Sequence, residues 1–200
     1  MIYRPAIRAW VALVIALGCN LLLWCHPHVF IDSTVQFIGS GQELRSIEIQ
    51  WRFDEVYSAS FFHDFKKPAN NVYEGKALAK VKKDAFDDIA EDGYFTDLRV
   101  NNQKIPIKTV RNFGAKVDRG WLLYSFTIDV VAPTPAGSTI DLDFFDNEYF
   151  IAFYEFDPKQ LSLSNLPSDS QTKVGSKTVN VQAWGKVQIS VASLKIGNSQ

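Results

Sequence analysis

Residues 25–37 read Cys-His-Pro-His-Val-Phe-Ile-Asp-Ser-Thr-Val-Gln-Phe and lie where an apolar N-terminal segment ends. Apolar side chains recur at alternate positions of this stretch and share one face, namely Val29, Ile31, Val35 and Phe37. The positions between them, from His28 to Gln36, are mostly polar. A period of two residues is typical of a β-strand with one buried face. The stretch therefore predicts the first strand of a β-rich domain.

The apolar segment before this strand is typical of an export signal. Arg4 and Arg8 give it a positive start, and residues 10–24 are almost entirely apolar. That run is shorter than the ~20 residues that a membrane-spanning helix needs. Residues 1–25 are therefore predicted to be a signal peptide, with an uncleaved membrane anchor as the alternative. Both cysteines of the chain lie in this segment, so a mature domain that starts at His26 has no disulfide.

The composition predicts one well-packed domain over residues 26–200. The chain has 200 residues, of which 46% are hydrophobic, and its 15 Phe, 7 Tyr and 5 Trp are ample for a core. The formal net charge is only -1. A chain with so little net charge and no basic run lacks the electrostatic footprint of a nucleic-acid-binding protein.

A helical insertion of about residues 54–92 is predicted after a second strand that ends at Phe53. The apolar spacing changes there from two residues to three or four, and Asp54 is a suitable N-cap for a first helix. A second helix is predicted over residues 71–92, because Asn71 begins a pattern that resembles a capping box and an apolar stripe follows.

The rest of the chain is predicted to be almost entirely β-structure. Residues 139–145 and 149–156 are expected to form a hairpin about Asp146-Asn147, and residues 177–184 and 186–194 a last pair of strands. The predicted fold class is α+β and mostly β. We expect an antiparallel sandwich or curled sheet, with two helices inserted after the second strand.

Two histidines at the start of the first strand suggest a metal site. His26 and His28 lie two residues apart, so on a strand they project to the same side, ~6.6 Å apart. Imidazole nitrogen is a ligand for zinc, nickel and copper. Pro27 has no N–H group, which excludes the planar chelate that an N-terminal peptide otherwise forms through deprotonated amides. The alternative is a solvated pair without a metal.

Additional ligands would have to arrive through folding. The weaker candidates are His63, Asp54, Glu55 and Asp146. Each has a structural alternative, such as a helix cap for Asp54 and a helix-surface position for His63. Asp141 and Asp143 share one face of a predicted strand, which suggests either a cation site or a solvated face.

No enzyme signature is present in the sequence. It contains no nucleophile elbow, no glycine-rich phosphate loop, no Cys-x-x-Cys and no His-Glu-x-x-His. Aromatic residues are dense between Phe144 and Phe156, where they predict either core packing or a ligand groove. We therefore predict a non-enzymatic protein.

Four motifs resemble an exported bacterial family, the domain-of-unknown-function family number one-thousand-and-seven. They are His26-Pro27-His28-Val29-Phe30-Ile31-Asp32, Trp51-x-Phe53-Asp54-Glu55-x-Tyr57-Ser58, Gly93-Tyr94-Phe95-Thr96 and Asp146-x-x-Tyr149-Phe150-x-x-Phe153. Members of this family are commonly labelled the periplasmic component of an uncharacterised ABC-type transport system. The resemblance covers most of residues 26–156.

The resemblance implies a periplasmic protein linked to transition-metal handling. The implied partner is an inner-membrane metal permease or exporter. Many relatives carry an acidic, calcium-loop-like stretch between the two helices. Residues 64–71 hold two lysines in place of most of those acids, so calcium is not expected here.

Two functions are therefore predicted from the sequence. The first is a periplasmic accessory protein that binds or transfers a divalent zinc, nickel or copper ion through His26 and His28. The alternative is an interaction module that contacts a membrane permease through an aromatic-rich surface, without a metal.

Overall fold

Two β-sheets pack face to face in the computed structural model, which describes residues 27–40, 43–182 and 184–198. Two helices follow the second strand, α1 (Glu55–Asp64) and α2 (Gly75–Ala85). The strands are β1 (Val29–Ser40), β2 (Glu43–Phe53), β3 (Thr96–Val100), β4 (Gln103–Ile105), β5 (Arg111–Asp118), β6 (Trp121–Asp129), β7 (Thr139–Phe144), β8 (Ile151–Phe153), β9 (Leu161–Ser164), β10 (Gln171–Val181) and β11 (Gly185–Lys195).

The first sheet has the strand order β5-β6-β2-β1-β8, with β9 also paired to β1. The second sheet has the order β10-β11-β7-β3-β4. All pairs are antiparallel except those that β1 makes with β8 and β9. The prediction of a mostly β, α+β sandwich with two helices after the second strand is therefore confirmed.

The alternating residues of β1 form one wall of the core, as predicted. Val29, Ile31, Val35 and Phe37 are at most 3% exposed. Trp51 of β2 joins the two sheets, because its ring lies 4.8 Å from Phe126 of the same sheet and 5.6 Å from Phe144 of the other. Burial of these apolar faces is the main force that holds the sheets together.

The predicted hairpin about Asp146-Asn147 is wrong. Strand β7 lies in the second sheet, whereas β8 lies in the first and pairs in parallel with β1. The connection between them therefore crosses from one sheet to the other. A turn signal between two apolar runs does not distinguish a hairpin from such a crossing, because both need only a local reversal of the chain.

The predicted start of the second helix at Asn71 is also wrong. Tyr73 donates its backbone N–H to Ala115 of β5, so the chain is extended there and α2 begins only at Gly75. The helix ends at Ala85, and a short 3₁₀ turn at Asp87–Ala90 follows. No helix among the described residues is long and apolar enough to cross a membrane.

Candidate functional site

His28 lies exposed at the start of β1. Its backbone N–H donates to the carbonyl of Phe150 at 2.9 Å, and its ring centroid is 4.9 Å from the Phe150 ring. His26 and the predicted signal peptide, residues 1–25, lie outside the described residues. The predicted pairing of the two imidazoles therefore stays a prediction.

Asp54 caps α1 and also binds β1. Its Oδ1 accepts the N–H of Tyr57 at 2.9 Å, and its Oδ2 accepts the N–H of Phe30 at 2.7 Å. The Asp54 N–H in turn donates to the Phe30 carbonyl. Both carboxylate oxygens are thus engaged by backbone groups, which is the expected use of an aspartate at a helix N-terminus.

Asp146 organises the crossing between the two sheets. It is 6% exposed, and its Oδ1 accepts the N–H of Glu148 at 3.0 Å. Its Oδ2 accepts the N–H groups of Phe150 and Ile151, each at 2.9 Å. These three bonds hold the chain in the bend that brings β8 alongside β1.

The other predicted ligands lie on the surface of α1. His63 Nδ1 is 3.2 Å from Asp64 Oδ1 and both side chains are exposed, as is Glu55 in the first turn. Within residues 27–40, 43–182 and 184–198, no three His, Cys, Asp or Glu side chains are grouped in a way that can hold a metal ion. Among the predicted ligands in these ranges, His28 and His63 have exposed rings. His28 lies at the start of β1, where the main metal site was predicted.

Four ring-bearing residues, His28, Phe30, Phe150 and Tyr154, form a surface that we call the aromatic corner. Phe30 stacks on Tyr154 with ring centroids 5.6 Å apart, beside the contact between His28 and Phe150. Phe150 is 46% and Tyr154 is 53% exposed. The corner therefore places two pairs of rings, with Phe150 and Tyr154 exposed, at the end of the first sheet where β1 begins.

A polar cluster on the second sheet corrects the prediction of a solvated face for Asp141 and Asp143, because the side chain of Asp143 is only 3% exposed and pairs with a lysine. Asp97 of β3 and Asp143 of β7 are directly opposite each other, and Lys177 of β10 joins them. Lys177 Nζ lies 2.6 Å from Asp143 Oδ2 and 3.0 Å from Asp97 Oδ2. We call these three residues the acid–lysine triad. The lysine offsets the repulsion that two carboxylates opposite each other would otherwise suffer.

The three members of the triad differ in their environments. Burial raises the pKa of Asp143, whose side chain is only 3% exposed. Burial also opposes ionisation of Asp97, but hydrogen bonds from Lys177 and Arg99 outweigh it and hold the pKa of Asp97 below its ordinary value. Burial lowers the pKa of Lys177 less than its two carboxylate partners raise it. Of the two carboxyl groups of the triad, Asp143 is thus the one whose protonated form is favoured.

A cavity of about 340 Å³ adjoins the triad, with Phe95, Phe145 and Asn147 in its wall. The backbone at this wall is strained, because the non-glycine residues Tyr94 and Phe95 have φ values of 55° and 51°. Successive left-handed residues with aromatic side chains are rare and cost free energy, and they occur more often at functional sites. The Gly93-Tyr94-Phe95-Thr96 motif was visible in the sequence, but its place beside the triad was not.

Comparison with known proteins identifies relatives but no activity. A model of the family described as "Protein of unknown function (DUF1007)" matches residues 11–184. Over 88 residues, the chain is 26% identical to "Uncharacterized 15.5 kDa protein in trpE 3'region" from Spirochaeta aurantia. That alignment covers 44% of this chain and 61% of the relative, so the chain spans about three fifths of the length of the curated relative it matches.

Proposed function

This chain belongs to the family described as Protein of unknown function (DUF1007), and we propose that it is a non-enzymatic accessory protein of a membrane transport system. We place it in the periplasm, in keeping with the apolar, positively flanked residues 1–25. Its partner in this proposal is an inner-membrane permease or exporter. The observation that carries the proposal is the exposed aromatic corner.

The aromatic corner has the composition of a protein-binding surface. Aromatic residues that are exposed on a free protein are enriched at interfaces, where they fill pockets of the partner. Exposed acidic side chains lie close to the corner along the chain, namely Glu148 two residues before Phe150 and Glu155 directly after Tyr154. Because an anionic bilayer surface repels such acids, their presence favours a protein partner over lipid headgroups.

The position of the corner also favours a partner in the membrane. His28 lies only four residues after Trp24, the last residue of the apolar N-terminal run. If that run enters the membrane during export, the corner is the part of the domain that emerges beside the bilayer. Val131 lies at the other end of the first sheet, where β2 begins. There the backbone N–H of Val130 donates to the carbonyl of Arg45.

Alanine at both Phe150 and Tyr154 is expected to reduce co-purification of the proposed permease partner by about tenfold or more. Two aromatic anchors that each contribute more than ~1 kcal/mol give a loss of that size. Quantitative immunoblotting after detergent extraction measures it. Val131→Ala is the matched control, because Val131 is 81% exposed at the opposite end of the sheet.

The same variants distinguish a permease from lipid. Equal permease recovery by the double variant and the wild type would refute the proposal. The proposal would also be refuted if the wild type bound permease-free vesicles of phosphatidylethanolamine and phosphatidylglycerol as well as it binds vesicles that contain the permease. A benzophenone side chain placed at position 154, but not at 131, is expected to crosslink to the permease.

Divalent transition-metal binding is the second candidate function, and the exposed ring of His28 at the start of β1 favours it. We expect about one zinc, nickel or copper ion per exported chain, bound by His26 and His28. Replacing both histidines by alanine is expected to abolish the binding in metal analysis and titration calorimetry. His63→Ala is the control and should retain it. A wild-type chain that binds none of the three ions would contradict this candidate.

A further inference from the structure

The acid–lysine triad differs from the other lysine–aspartate pairs of the described residues. The Lys80–Asp84 and Lys82–Asp87 pairs lie on the surface, where each side chain is at least 39% exposed. In the triad, Asp143 is 3% exposed and Lys177 is 35% exposed. A surface ion pair is kept charged by water, whereas burial of Asp143 disfavours its charged form.

Two oxygens of the triad have no hydrogen-bond donor among the described residues. They are Oδ1 of Asp97 and Oδ1 of Asp143, and both are fully buried. Lys104 Nζ lies 3.7 Å from Oδ1 of Asp97, which is an ion-pair distance but too long for a hydrogen bond. A buried carboxylate oxygen without a donor is costly in free energy, because it has lost its hydrogen bonds to water. An ordinary salt bridge through Lys177 leaves both of these oxygens unsatisfied, because the lysine contacts only the Oδ2 atoms.

We propose that Lys177 and Asp143 condense to an amide, which crosslinks strand β10 to strand β7, with Asp97 as the proton carrier. The reacting groups are already in contact, since Nζ of Lys177 lies 2.6 Å from Oδ2 of Asp143. Asp97 lies 3.0 Å from the same nitrogen. Three groups held at these distances within a folded domain have a large effective concentration.

The condensation balances without any additional reactant. Asp97 takes a proton from the Lys177 ammonium, and the neutral amine attacks Cγ of protonated Asp143 to form the C–N bond. Asp97 then relays a proton from the nitrogen to the departing hydroxyl, and the C–O bond breaks to release water. The products are an amide N–H, one water molecule and a protonated Asp97. The adjoining cavity of about 340 Å³ receives the water.

The product satisfies the two oxygens that the salt bridge leaves without donors. Oδ1 of Asp143 becomes the amide carbonyl, which accepts the proton carried on Oδ1 of Asp97. The amide N–H replaces the Lys177 ammonium as a donor to Oδ2 of Asp97, which also accepts from Arg99 Nε at 3.2 Å. Asp97 and Asp143 are cross-strand neighbours, so their Cβ atoms lie ~5 Å apart and their carboxyl groups are within reach of each other.

The crosslink would tie an edge of the second sheet to its centre. Strand β10 is at the edge of this sheet and β7 is its central strand. Both cysteines of the chain lie in residues 1–25, so a domain without that segment has no disulfide. An amide between residues 143 and 177 closes a loop of the unfolded chain and stabilises the fold in the way that a disulfide does.

Intact-mass spectrometry of the purified exported protein tests the crosslink. After storage at room temperature, we expect the measured mass of the wild type to be one water molecule less than the mass calculated from the residues of the exported chain. A digest should contain a linked peptide pair joined at Lys177 and Asp143. Lys177→Arg, which keeps the positive charge, should have its full mass, and Asp97→Ala should remain uncrosslinked over the same storage.

Lys80→Arg is the matched control, because it alters a surface lysine–aspartate pair and should retain the mass deficit. A wild type of full mass without the linked peptide overturns the proposal, as does a deficit that persists in Lys177→Arg. Peptide mapping of the wild type alone decides the question if a variant fails to fold. A crosslink that forms equally fast in Asp97→Ala overturns the assigned role of Asp97.

Discussion

Trp51→Ala is expected to lower the free energy of unfolding by about 3–5 kcal/mol, the usual cost of removing a large buried aromatic side chain. Trp51 is 1% exposed and contacts Phe126, Phe144 and Phe153, with ring centroids 4.8–5.6 Å apart. Alanine leaves a cavity between the sheets that the surrounding rings cannot fill. Urea unfolding followed by far-UV circular dichroism measures the loss.

Trp51→Phe separates packing from polar effects at the same position. The indole Nε1 is buried with no hydrogen-bond partner among the described residues, so its removal costs no hydrogen bond. We therefore expect a loss of less than ~1.5 kcal/mol for phenylalanine, which keeps most of the ring. Equal losses for the two variants would show that aromatic packing at this site is not what stabilises the core.

Asp146→Ala is expected to cost about 3 kcal/mol, because three backbone N–H groups lose a charged acceptor. These groups belong to Glu148, Phe150 and Ile151, which connect the two sheets. The bend should loosen, and the aromatic corner should lose its arrangement with it. Chemical denaturation measures the loss of stability, and co-purification with the permease measures whether the aromatic corner still binds it.

Asp157→Ala is the matched control for that prediction. Asp157 is also a loop aspartate that accepts a backbone N–H, from Lys159, but it is exposed and caps only a short 3₁₀ turn. We expect its replacement to cost no more than ~1 kcal/mol. If Asp146→Ala costs no more than Asp157→Ala, the buried carboxylate does not hold the crossing between the sheets.

Local periodicity predicted the strands and helices correctly where one face of an element is buried. The alternation of β1 and the helical spacing after Asp54 are direct consequences of that burial. Predictions failed at Asn71 and at Asp146, where a long-range partner decides the backbone path. At Asn71 the competing partner is β5, which pairs with the chain through Val72 and Lys116.

The candidate sites show the same difference between features set by neighbouring residues and features set by distant ones. The motif around His28 and the capping role of Asp54 were evident from neighbouring residues, and α1 begins where its cap predicts. The acid–lysine triad was not evident, because Lys177 is separated by 80 residues from Asp97. Only the strand order brings these side chains together, and no spacing in the sequence encodes that order.

The sequence alone determined the fold class, the alternating faces of the core strands and the apolar character of residues 10–24. These properties depend on side chains a few residues apart, whose hydrophobicity and spacing are readable directly. Only the tertiary structure decided that β8 joins β1, that Asp146 organises the crossing and that Lys177 meets Asp143. Those outcomes depend on which distant strands pair, and the free energy of that choice is spread over the whole core.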